Sequence, residues 1–299
     1  MSGRPPVCDY EGSQYQADFW DKGERAYEDQ SEAHALRALL PAGGKLLLEV
    51  GAGAGRNTPR YAGFERVVLL DYSRTQLQQA QARLGRDPRY IYVAADVYRL
   101  PFAPGRFDAA TMIRVIHHLA DAPAALRQVR AVLEPGAAFI LEFANKQNLK
   151  AIARWALGRQ RWNPFDPAPV EFVALNFDFH PGAMLADLRA AGFDVRAVRA
   201  LSYLRVPALK RALPARLLVA VDALLQPTGA LVQLSPSVFV QAQARAQAAG
   251  PGPTAPGQFF KCPACGALEL NESGGHLLCS GCGRRWAVRD GIYDFKEPA

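Results

Sequence analysis

The residues best suited to chemistry fall into two groups, and the first is a glycine-rich turn. The segment EVGAGAG follows an apolar run and places Gly51, Gly53 and Gly55 at alternate positions. Because glycine lacks a Cβ atom, backbone N–H groups in such a turn can approach a ligand closely. A strand, a glycine turn and a helix in this order predict an anion- or nucleotide-binding site at the carboxyl end of the strand.

Acidic residues end three successive predicted strands around this turn. Glu49 precedes the glycines, Asp71 ends the second strand, and Asp96 with Val97 follows the third. Asp71 can accept hydrogen bonds from both ribose hydroxyls, and Asp96 with the Val97 N–H can read an adenine edge. The dinucleotide pattern GxGxxG needs a third glycine where Arg56 stands, and Glu49 would repel a pyrophosphate. A site with this many carboxylates favours a cationic nucleoside such as S-adenosylmethionine (SAM).

The second group is a set of four cysteines close together in the sequence. They follow the spacing C-x2-C-x13-C-x2-C, which brings two thiolate pairs to one tetrahedral ion and predicts a structural Zn²⁺ site. His276 lies between the two pairs and is not needed as a ligand. The predicted ligands are Cys262, Cys265, Cys279 and Cys282.

The elements that must position these groups alternate between strand and helix from residue 45 onward. This alternation predicts a parallel sheet with helices on both faces. Residues 10–40 read as helical, and the aromatic side chains of Tyr15, Phe19 and Trp20 are expected to cover the ligand. The predicted division is a helical lid over 1–44, a ligand-binding domain over 45–240 with substrate-side insertions at about 145–235, a linker over 241–258 and a zinc ribbon over 259–299.

Composition and charge restrict the function further. The chain has 299 residues and a net charge of +7. Residues 145–216 hold 12 Lys/Arg against 5 Asp/Glu, which indicates either an anionic partner or a solvated basic face. The first residues lack an apolar signal core, and LLVAVDALL is too short to span a bilayer. We therefore expect no transmembrane segment and a cytoplasmic location, where clustered cysteines bind metal rather than form disulfides.

Five motifs in order resemble the class I SAM-dependent methyltransferases, in particular the methyltransferase type 11 branch that includes ubiquinone/menaquinone methyltransferases. They are EVGAGAG, LLDYS, AADVYRLPF, FDAATMIRVIHHL and LEPGAAFILEF. The resemblance implies an α/β, Rossmann-like sheet of seven strands, the last antiparallel, with a zinc-ribbon-like β domain at the C-terminal end. It also implies that Glu49, Gly51 and Gly53 hold the methionine part of SAM, Asp71 the ribose, and Asp96 with Val97 the adenine. Tyr72 is expected to pack on the adenine or in the core.

The segment IRVIHHL would lie beside the methyl group in this fold. His117 or His118 is a candidate general base, because imidazole titrates near neutrality, or else a packed structural residue. Arg114 is a candidate for orienting an anionic acceptor group, with an ordinary salt bridge as the alternative.

The ending RRWAVRDGIYDF resembles the small zinc-binding activator subunit of tRNA, rRNA and translation-factor methyltransferases. That resemblance implies a ribbon that docks on its own or a neighbouring methyltransferase domain by adding strands. The expected activity is methyl transfer from SAM to a small-molecule or lipid-like acceptor. The alternatives are a tRNA or rRNA acceptor bound through the basic 145–216 region, and more remotely an NAD(P)-dependent oxidoreductase or a non-catalytic SAM-binding scaffold.

Overall fold

The structure of the protein is a computed structural model that describes residues 5–13, 20, 25–85, 87–246 and 259–299. Apolar, β-branched runs form the strands of its central sheet, which are buried on both faces. In chain order the strands of the first 246 residues are β1 (Gly44–Val50), β2 (Phe64–Asp71), β3 (Tyr90–Ala94), β4 (Phe107–Met112), β5 (Leu133–Ala144), β6 (Val170–Val173), β7 (Asn176–Asp178), β8 (Phe193–Leu201) and β9 (Ser237–Ala244).

Seven of these strands lie in the order β3-β2-β1-β4-β5-β9-β8, and β6 pairs with β7 in a separate hairpin. Strands β1 to β5 run parallel, whereas β9 is antiparallel to both β5 and β8. The predicted seven-stranded α/β sheet with an antiparallel last strand is confirmed. The chain crosses over beside β1, so the carboxyl ends of β1, β2 and β4 meet at one edge, where ligands bind in such sheets.

Helices cover both faces of the sheet. Four of the described helices begin at side-chain caps. Ser73 Oγ, for example, accepts a hydrogen bond from Gln76 N at 3.2 Å, and Asp121 Oδ1 accepts one from Ala124 N at 2.9 Å. The helices are α1 (Ala26–Leu39), α2 (Arg74–Leu84), α3 (Ala122–Val132), α4 (Leu149–Ala156), α5 (Pro181–Ala190), α6 (Pro207–Ala212) and α7 (Ala215–Leu225).

Three segments differ from the sequence prediction. Residues 10–13 form a turn rather than a helix. Ser13 N donates to Tyr10 O at 3.1 Å, and Glu11 and Ser13 also bond to α2. Tyr15 and Phe19 lie outside the described residues. The predicted helix over 207–226 is interrupted at Pro214, whose ring cannot continue a helix. Strand β9 reaches Ala244, four residues into the expected linker, and residues 247–258 of that linker lie outside the described part.

The C-terminal unit is a four-stranded antiparallel meander. Its strands are β10 (Leu270–Ser273), β11 (His276–Cys279), β12 (Arg285–Arg289) and β13 (Ile292–Asp294). Strand β13 pairs in parallel with β3, with Ile292 beside Tyr92, so the described strands of both units belong to one sheet of 11 strands. Phe260 stacks on Phe102 of the larger unit with ring centroids 5.9 Å apart.

Candidate functional site

A cavity lies at the carboxyl ends of β1 and β2, beneath the N-terminal arm formed by residues 5–13. We call it the glycine-loop cavity. Val7 of the arm forms an isolated antiparallel bridge with Leu119, so the arm crosses the mouth of the cavity. The predicted ligand-binding residues that line this cavity are Gly51, Gly53, Asp71, Tyr72 and Val97, together with the candidate catalytic residues Arg114 and His118.

The two glycines of this cavity serve different purposes. Gly51 has a φ of 70°, and a Cβ atom there would lie 2.1 Å from Val115 Cγ2. Gly53 has a φ of 53°, but a Cβ atom there would meet nothing closer than Gln76 Oε1 at 3.8 Å. Gly51 therefore allows the turn to pack against the segment after β4. Gly53 leaves open space where a ligand can approach the backbone, as a nucleoside such as SAM requires.

Asp71 holds the turn in place from the end of β2. Its Oδ2 accepts a hydrogen bond from Gly53 N at 2.8 Å, and its Oδ1 accepts one from Ser73 N at 2.9 Å. Burial raises the pKa of Asp71 to about 6, although these two bonds oppose the shift. Each carboxylate oxygen keeps a second lone pair, so Asp71 can still accept a ribose hydroxyl.

The other two acids do not line this cavity, contrary to the expected cradle of three carboxylates. Glu49 is only 4% exposed, and its two oxygens accept hydrogen bonds from Thr58 Oγ1 at 2.6 Å and Tyr61 OH at 3.3 Å. Burial raises the pKa of Glu49 to about 7. Asp96 caps the turn after β3 by accepting from Tyr98 N at 2.9 Å, and it lines a groove that faces the C-terminal unit. Both acids are occupied by local hydrogen bonds that sequence spacing does not reveal.

A second cavity adjoins the first, and we call it the histidine cavity. Its volume is about 340 Å³. It shares Tyr10, Arg114 and His118 with the glycine-loop cavity, so these three side chains stand between the two spaces. The remaining residues of the histidine cavity come from the residue before α1, from β5, β7 and β9, and from the segments after β4, β8 and α7. The polar ones are Arg25, His117, Glu142, Asn176, Arg205 and Ser237.

The two histidines have different hydrogen-bonding environments. His118 Nε2 lies 3.2 Å from Tyr10 OH and its Nδ1 lies 3.0 Å from the Leu175 carbonyl oxygen, so both ring nitrogens are engaged. His117 Nδ1 has no hydrogen-bond partner among the described residues. Burial lowers the pKa of both rings. The pKa of His117 is lowered further, well below its usual value, by the neighbouring His118 and two arginines. His117 is therefore a neutral imidazole with a spare proton-accepting atom.

Arg114 makes an ion pair rather than pointing freely into a cavity. Its Nε donates to Glu32 Oε1 at 2.6 Å, and its backbone N–H donates to Glu142 Oε2 at 2.9 Å. Its φ of 58° is uncommon for a residue with a side chain. Burial opposes ionisation of Glu32, but Arg114 and Arg56 outweigh it and lower the Glu32 pKa to about 2. Arg114 thus links α1 to the segment between the two cavities.

Trp20 packs on guanidinium groups in the same region. The Arg56 guanidinium lies 3.7 Å from the Trp20 ring centroid and that of Arg114 lies 4.9 Å away. These cation–π contacts place the indole beside the Arg114–Glu32 pair. The ring does not line the glycine-loop cavity, so its described contacts are structural.

The four predicted cysteine ligands converge on one point of the C-terminal unit. All four sulfur atoms lie within 4.8 Å of one another. The Sγ–Sγ distances are 3.7 Å for Cys262–Cys282 and 3.5 Å for Cys265–Cys279. A tetrahedral zinc ion with its usual Zn–S bonds separates its sulfurs by about 3.8 Å, so the donor set and its size fit Zn²⁺. No disulfide joins the cysteines.

Residues 48–141 match the family model described as a methyltransferase domain. This segment has a class I methyltransferase fold. It extends from β1 into β5 and contains the glycine turn, Asp71 and both histidines. The match favours SAM over NAD(P) as the ligand of the glycine-loop cavity.

Curated relatives share about a third of the aligned residues. A malonyl-[acyl-carrier protein] O-methyltransferase of Erwinia pyrifoliae is 32% identical over 152 residues, which cover 50% of this chain and 53% of the relative. A 2-phytyl-1,4-naphtoquinone methyltransferase of Trichormus variabilis is 34% identical over 125 residues, covering 38% and 54%. The chain therefore spans about half the length of these curated relatives.

Solved structures share the fold of the methyltransferase domain. A Haloferax volcanii structure, from the complex between the Trm112 methyltransferase activator and a methyltransferase, has a TM-score of 0.55 at 18% identity and covers 78% of this chain and 96% of that one. An S-adenosylmethionine-dependent methyltransferase of Listeria monocytogenes has a TM-score of 0.54 at 18% identity and covers 74% and 100%. At such identities the likeness concerns the fold alone.

Several residues of the site were not predicted from sequence. Glu32 and Glu142 carry the ion pair and the hydrogen bonds that fix Arg114, and Tyr10 contacts His118. Glu142 also accepts from Ser237 Oγ at 2.7 Å. Glu142 lies in an apolar strand, and a buried acid in such a strand is a signal that could have indicated it. Glu32 and Tyr10 carry no comparable local signal.

Proposed function

We propose that this protein transfers a methyl group from SAM to a small-molecule or lipid-like acceptor. The observation that carries the proposal is the junction of the two cavities, since Tyr10, Arg114 and His118 border both. A donor in the glycine-loop cavity and an acceptor in the histidine cavity would meet at this junction. In-line transfer needs such an arrangement, and positioning alone contributes about 7 kcal/mol or more in favourable cases.

Each residue of the glycine-loop cavity has a role toward SAM that its geometry supports. Bound SAM would supply a methyl group carried on a positively charged sulfur. Asp71 would accept hydrogen bonds from the ribose, and Gly53 would leave room for the donor beside the backbone. Val97 and Tyr72 would border the adenine. We propose only indirect roles for Glu49, which supports the turn through Thr58 and Tyr61, and for Asp96, which orients the backbone at Val97.

We assign the general base to His117 rather than His118. With both His118 nitrogens engaged, that ring orients the cavity wall. His117 is neutral and lines the histidine cavity, so its ring can take the proton of an acceptor O–H or N–H group there. Arg114 is a positioning residue, because its guanidinium is held by Glu32 and its backbone N–H holds Glu142.

The relatives give modest support to a small or lipid-like acceptor, because one is named for a phytyl-naphthoquinone and another for a malonyl thioester carrier. An RNA acceptor is the second candidate. The basic residues of 145–216 favour it, as does the ribbon, whose strand β13 pairs with β3. The histidine cavity argues for the smaller acceptor, since its volume of about 340 Å³ suits a small ring system.

We also propose that the cysteine cluster binds a structural Zn²⁺ ion and that residues 259–299 form a zinc ribbon docked on its own methyltransferase domain. The parallel pairing of β13 with β3 supports this docking. Four thiols gathered without disulfides are typical of a reducing compartment, which supports a cytoplasmic location. Among the described residues, no helix is long and apolar enough to cross a membrane.

The experiment that tests the function uses purified protein with SAM labelled on its methyl group. The protein is incubated separately with lipid, metabolite, RNA and protein fractions, and the label in each is counted. Label in the lipid or metabolite fraction is expected. Label confined to RNA would replace the small-molecule proposal by its alternative. Calorimetric titration with SAM and with NAD in the same preparation checks the donor, and absence of SAM binding would overturn the proposal.

A further inference from the structure

A third cavity, which we call the basic cleft, opens beside the histidine cavity. Its volume is about 650 Å³, and it shares Arg25 and Arg205 with the histidine cavity. The basic cleft therefore adjoins the histidine cavity, which in turn adjoins the glycine-loop cavity with the predicted SAM site. The basic cleft is lined by Arg25, Lys150, Arg205, Lys210 and Arg211 and by a single acid, Glu28.

Glu28 pairs with only two of these basic side chains. Glu28 is 2% exposed, and both its oxygens contact Lys210 Nζ, at 2.8 and 2.9 Å. Arg205 Nε is 3.7 Å from the same carboxylate. Lys150 and Arg211 make no ion pair with a described residue and face solvent. The cleft thus presents net positive charge at the entrance to the histidine cavity.

Large aliphatic side chains surround this charge. Helix α7 buries Leu218 and Asp222 against the protein, with Asp222 accepting from Tyr27 OH at 2.9 Å. Its opposite face presents Leu217, Val221 and Leu224, which recur at helical spacing, and Leu224 is 81% exposed. Other exposed aliphatic residues lie in α4, α6 and α7 or close to these helices along the chain: Leu149, Leu157, Leu213, Leu231 and Val232.

We propose that α4, α6 and α7 form a face that rests on an anionic lipid bilayer, so that an amphiphilic acceptor passes from the bilayer through the basic cleft to His117. The second half of this proposal rests on the proposed function. Exposed aliphatic residues beside lysine and arginine are the composition of interfacial helices, whose apolar side enters the headgroup region while the basic groups meet anionic lipids. The acceptor class is therefore a lipid with a reactive polar head.

Two other occupants fit the surface less well. A second copy of the chain across a two-fold axis would bring Lys150 and Arg211 of both copies together, and like charges repel. A single-stranded nucleic acid is bound largely by aromatic stacking. Trp155 on α4 is exposed and could stack on one base, but the stripe on α7 consists of leucine and valine, which cannot. A bilayer complements both the charge and the aliphatic groups.

The first test measures sedimentation of the full chain with vesicles. Vesicles of phosphatidylcholine alone are compared with vesicles that contain one-third phosphatidylglycerol. We expect binding to the anionic vesicles, and binding should weaken steeply as salt rises because the charges are exposed. Leu217→Ser with Leu224→Ser should lower the partition coefficient by about tenfold or more. Lys150→Glu with Arg211→Glu should remove the preference for phosphatidylglycerol.

Matched controls use exposed residues elsewhere. Leu278→Ser on β11 removes a leucine that is 40% exposed, and Lys45→Glu with Arg285→Glu makes the same change of charge away from the face. Both controls should bind vesicles like the unmodified protein, and thermal melting confirms that every variant is folded. An equal loss in the controls would overturn the proposal. So would a lack of vesicle binding, or a dimer in light scattering that Leu224→Ser dissociates.

This test separates the proposal from the proposed function because vesicle binding needs neither donor nor acceptor. Protein that binds SAM in calorimetry but ignores anionic vesicles would refute the membrane face alone. Protein that binds vesicles but neither binds SAM nor transfers methyl groups would refute the proposed function and leave the membrane face in place.

Discussion

At the scale of single residues, adjacent histidines after β4 differ in what they can do. His118 is held by Tyr10 and by the Leu175 carbonyl, whereas His117 Nδ1 has no such partner. The rings lie 4.1 Å apart between centroids, so a positive charge on one disfavours a charge on the other. A neutral pair at physiological pH follows, and only His117 has a free acceptor atom.

Replacing His117 by glutamine should slow methyl transfer by about 100- to 10,000-fold if its ring is the general base. The unmodified protein should keep its rate from pH 8 down to pH 6.5, because the lowered pKa leaves the imidazole unprotonated there. Its rate should fall only at lower pH, as the base is protonated. The measurement is the initial rate against pH with the acceptor fraction that the labelling experiment identifies.

The comparison variant is His118→Gln, which should affect acceptor KM more than kcat because that ring shapes the wall. SAM affinity should stay unchanged in the His117 variant. A His117→Gln enzyme with an unaltered rate and an unaltered acid limb would contradict the assignment.

Asp71→Asn should weaken SAM binding by about tenfold to a hundredfold, since a hydrogen bond to a charged group contributes about 1.5–3 kcal/mol. With its pKa near 6, Asp71 is ionised at pH 7 and becomes protonated as pH falls below 6. The SAM dissociation constant should therefore rise on acidification of the unmodified protein. Titration calorimetry at pH 5.5 and 7.5 measures both effects. Asp194→Asn, on an exposed part of β8, is the control, and equal SAM affinity in all three proteins would refute the ribose role.

At the scale of elements, the glycine turn joins β1 to the segment after β4 by direct packing. A Cβ atom at Gly51 would overlap Val115, whereas one at Gly158, with a similar φ of 67°, would meet nothing within 4 Å. The two positions separate the effect of backbone conformation from that of steric overlap.

Gly51→Ala should lower the free energy of unfolding by about 2–4 kcal/mol, because the left-handed conformation costs about 1–2 kcal/mol for alanine and the overlap adds to it. Gly158→Ala should show the conformational part alone. Urea denaturation measures both, and adding Val115→Ala to Gly51→Ala should restore part of the loss. Equal losses at the two glycines would show that Val115 does not limit the turn.

The sequence predicted the elements whose signals are local. The apolar runs form strands, and these alternate with helices as expected. Pairing between distant residues escaped prediction. The Arg114–Glu32 ion pair joins residues 82 positions apart, and Glu49 turns toward Thr58 and Tyr61 rather than toward the ligand. No periodicity in the sequence encodes such contacts. The sequence therefore predicted a substrate-side region at about 145–235 but not the residues that line the histidine cavity.

At the scale of the whole molecule, the C-terminal unit and the N-terminal arm meet at the predicted SAM site. Lys296 Nζ lies 5.2 Å from the centroid of the Tyr72 ring and 3.3 Å from Glu11 Oε2. Glu11 also accepts hydrogen bonds from the first residues of α2, including Thr75 N at 3.1 Å. The arm over the glycine-loop cavity is thus fixed by both units.

Cys279→Ser should abolish stoichiometric zinc in elemental analysis, because three thiolates no longer close a tetrahedral site. The same substitution should raise the SAM dissociation constant by less than about fivefold. Loss of zinc loosens the contacts of Lys296, and these partly exposed contacts contribute at most about 1 kcal/mol. Cys8→Ser is the matched control, which should keep its zinc. Full zinc content in the Cys279 variant would contradict the four-thiolate site.

The pairing of β13 with β3 also decides what lies at the border of the large sheet. Without the C-terminal unit, β3 would be an uncovered edge of buried aliphatic and aromatic residues, and such edges recruit strands from other molecules. The short ribbon strand β10 takes that outer position instead. When zinc is scarce, the amount of this protein should consequently fall through aggregation. The catalytic rate of the molecules that stay folded should fall only later.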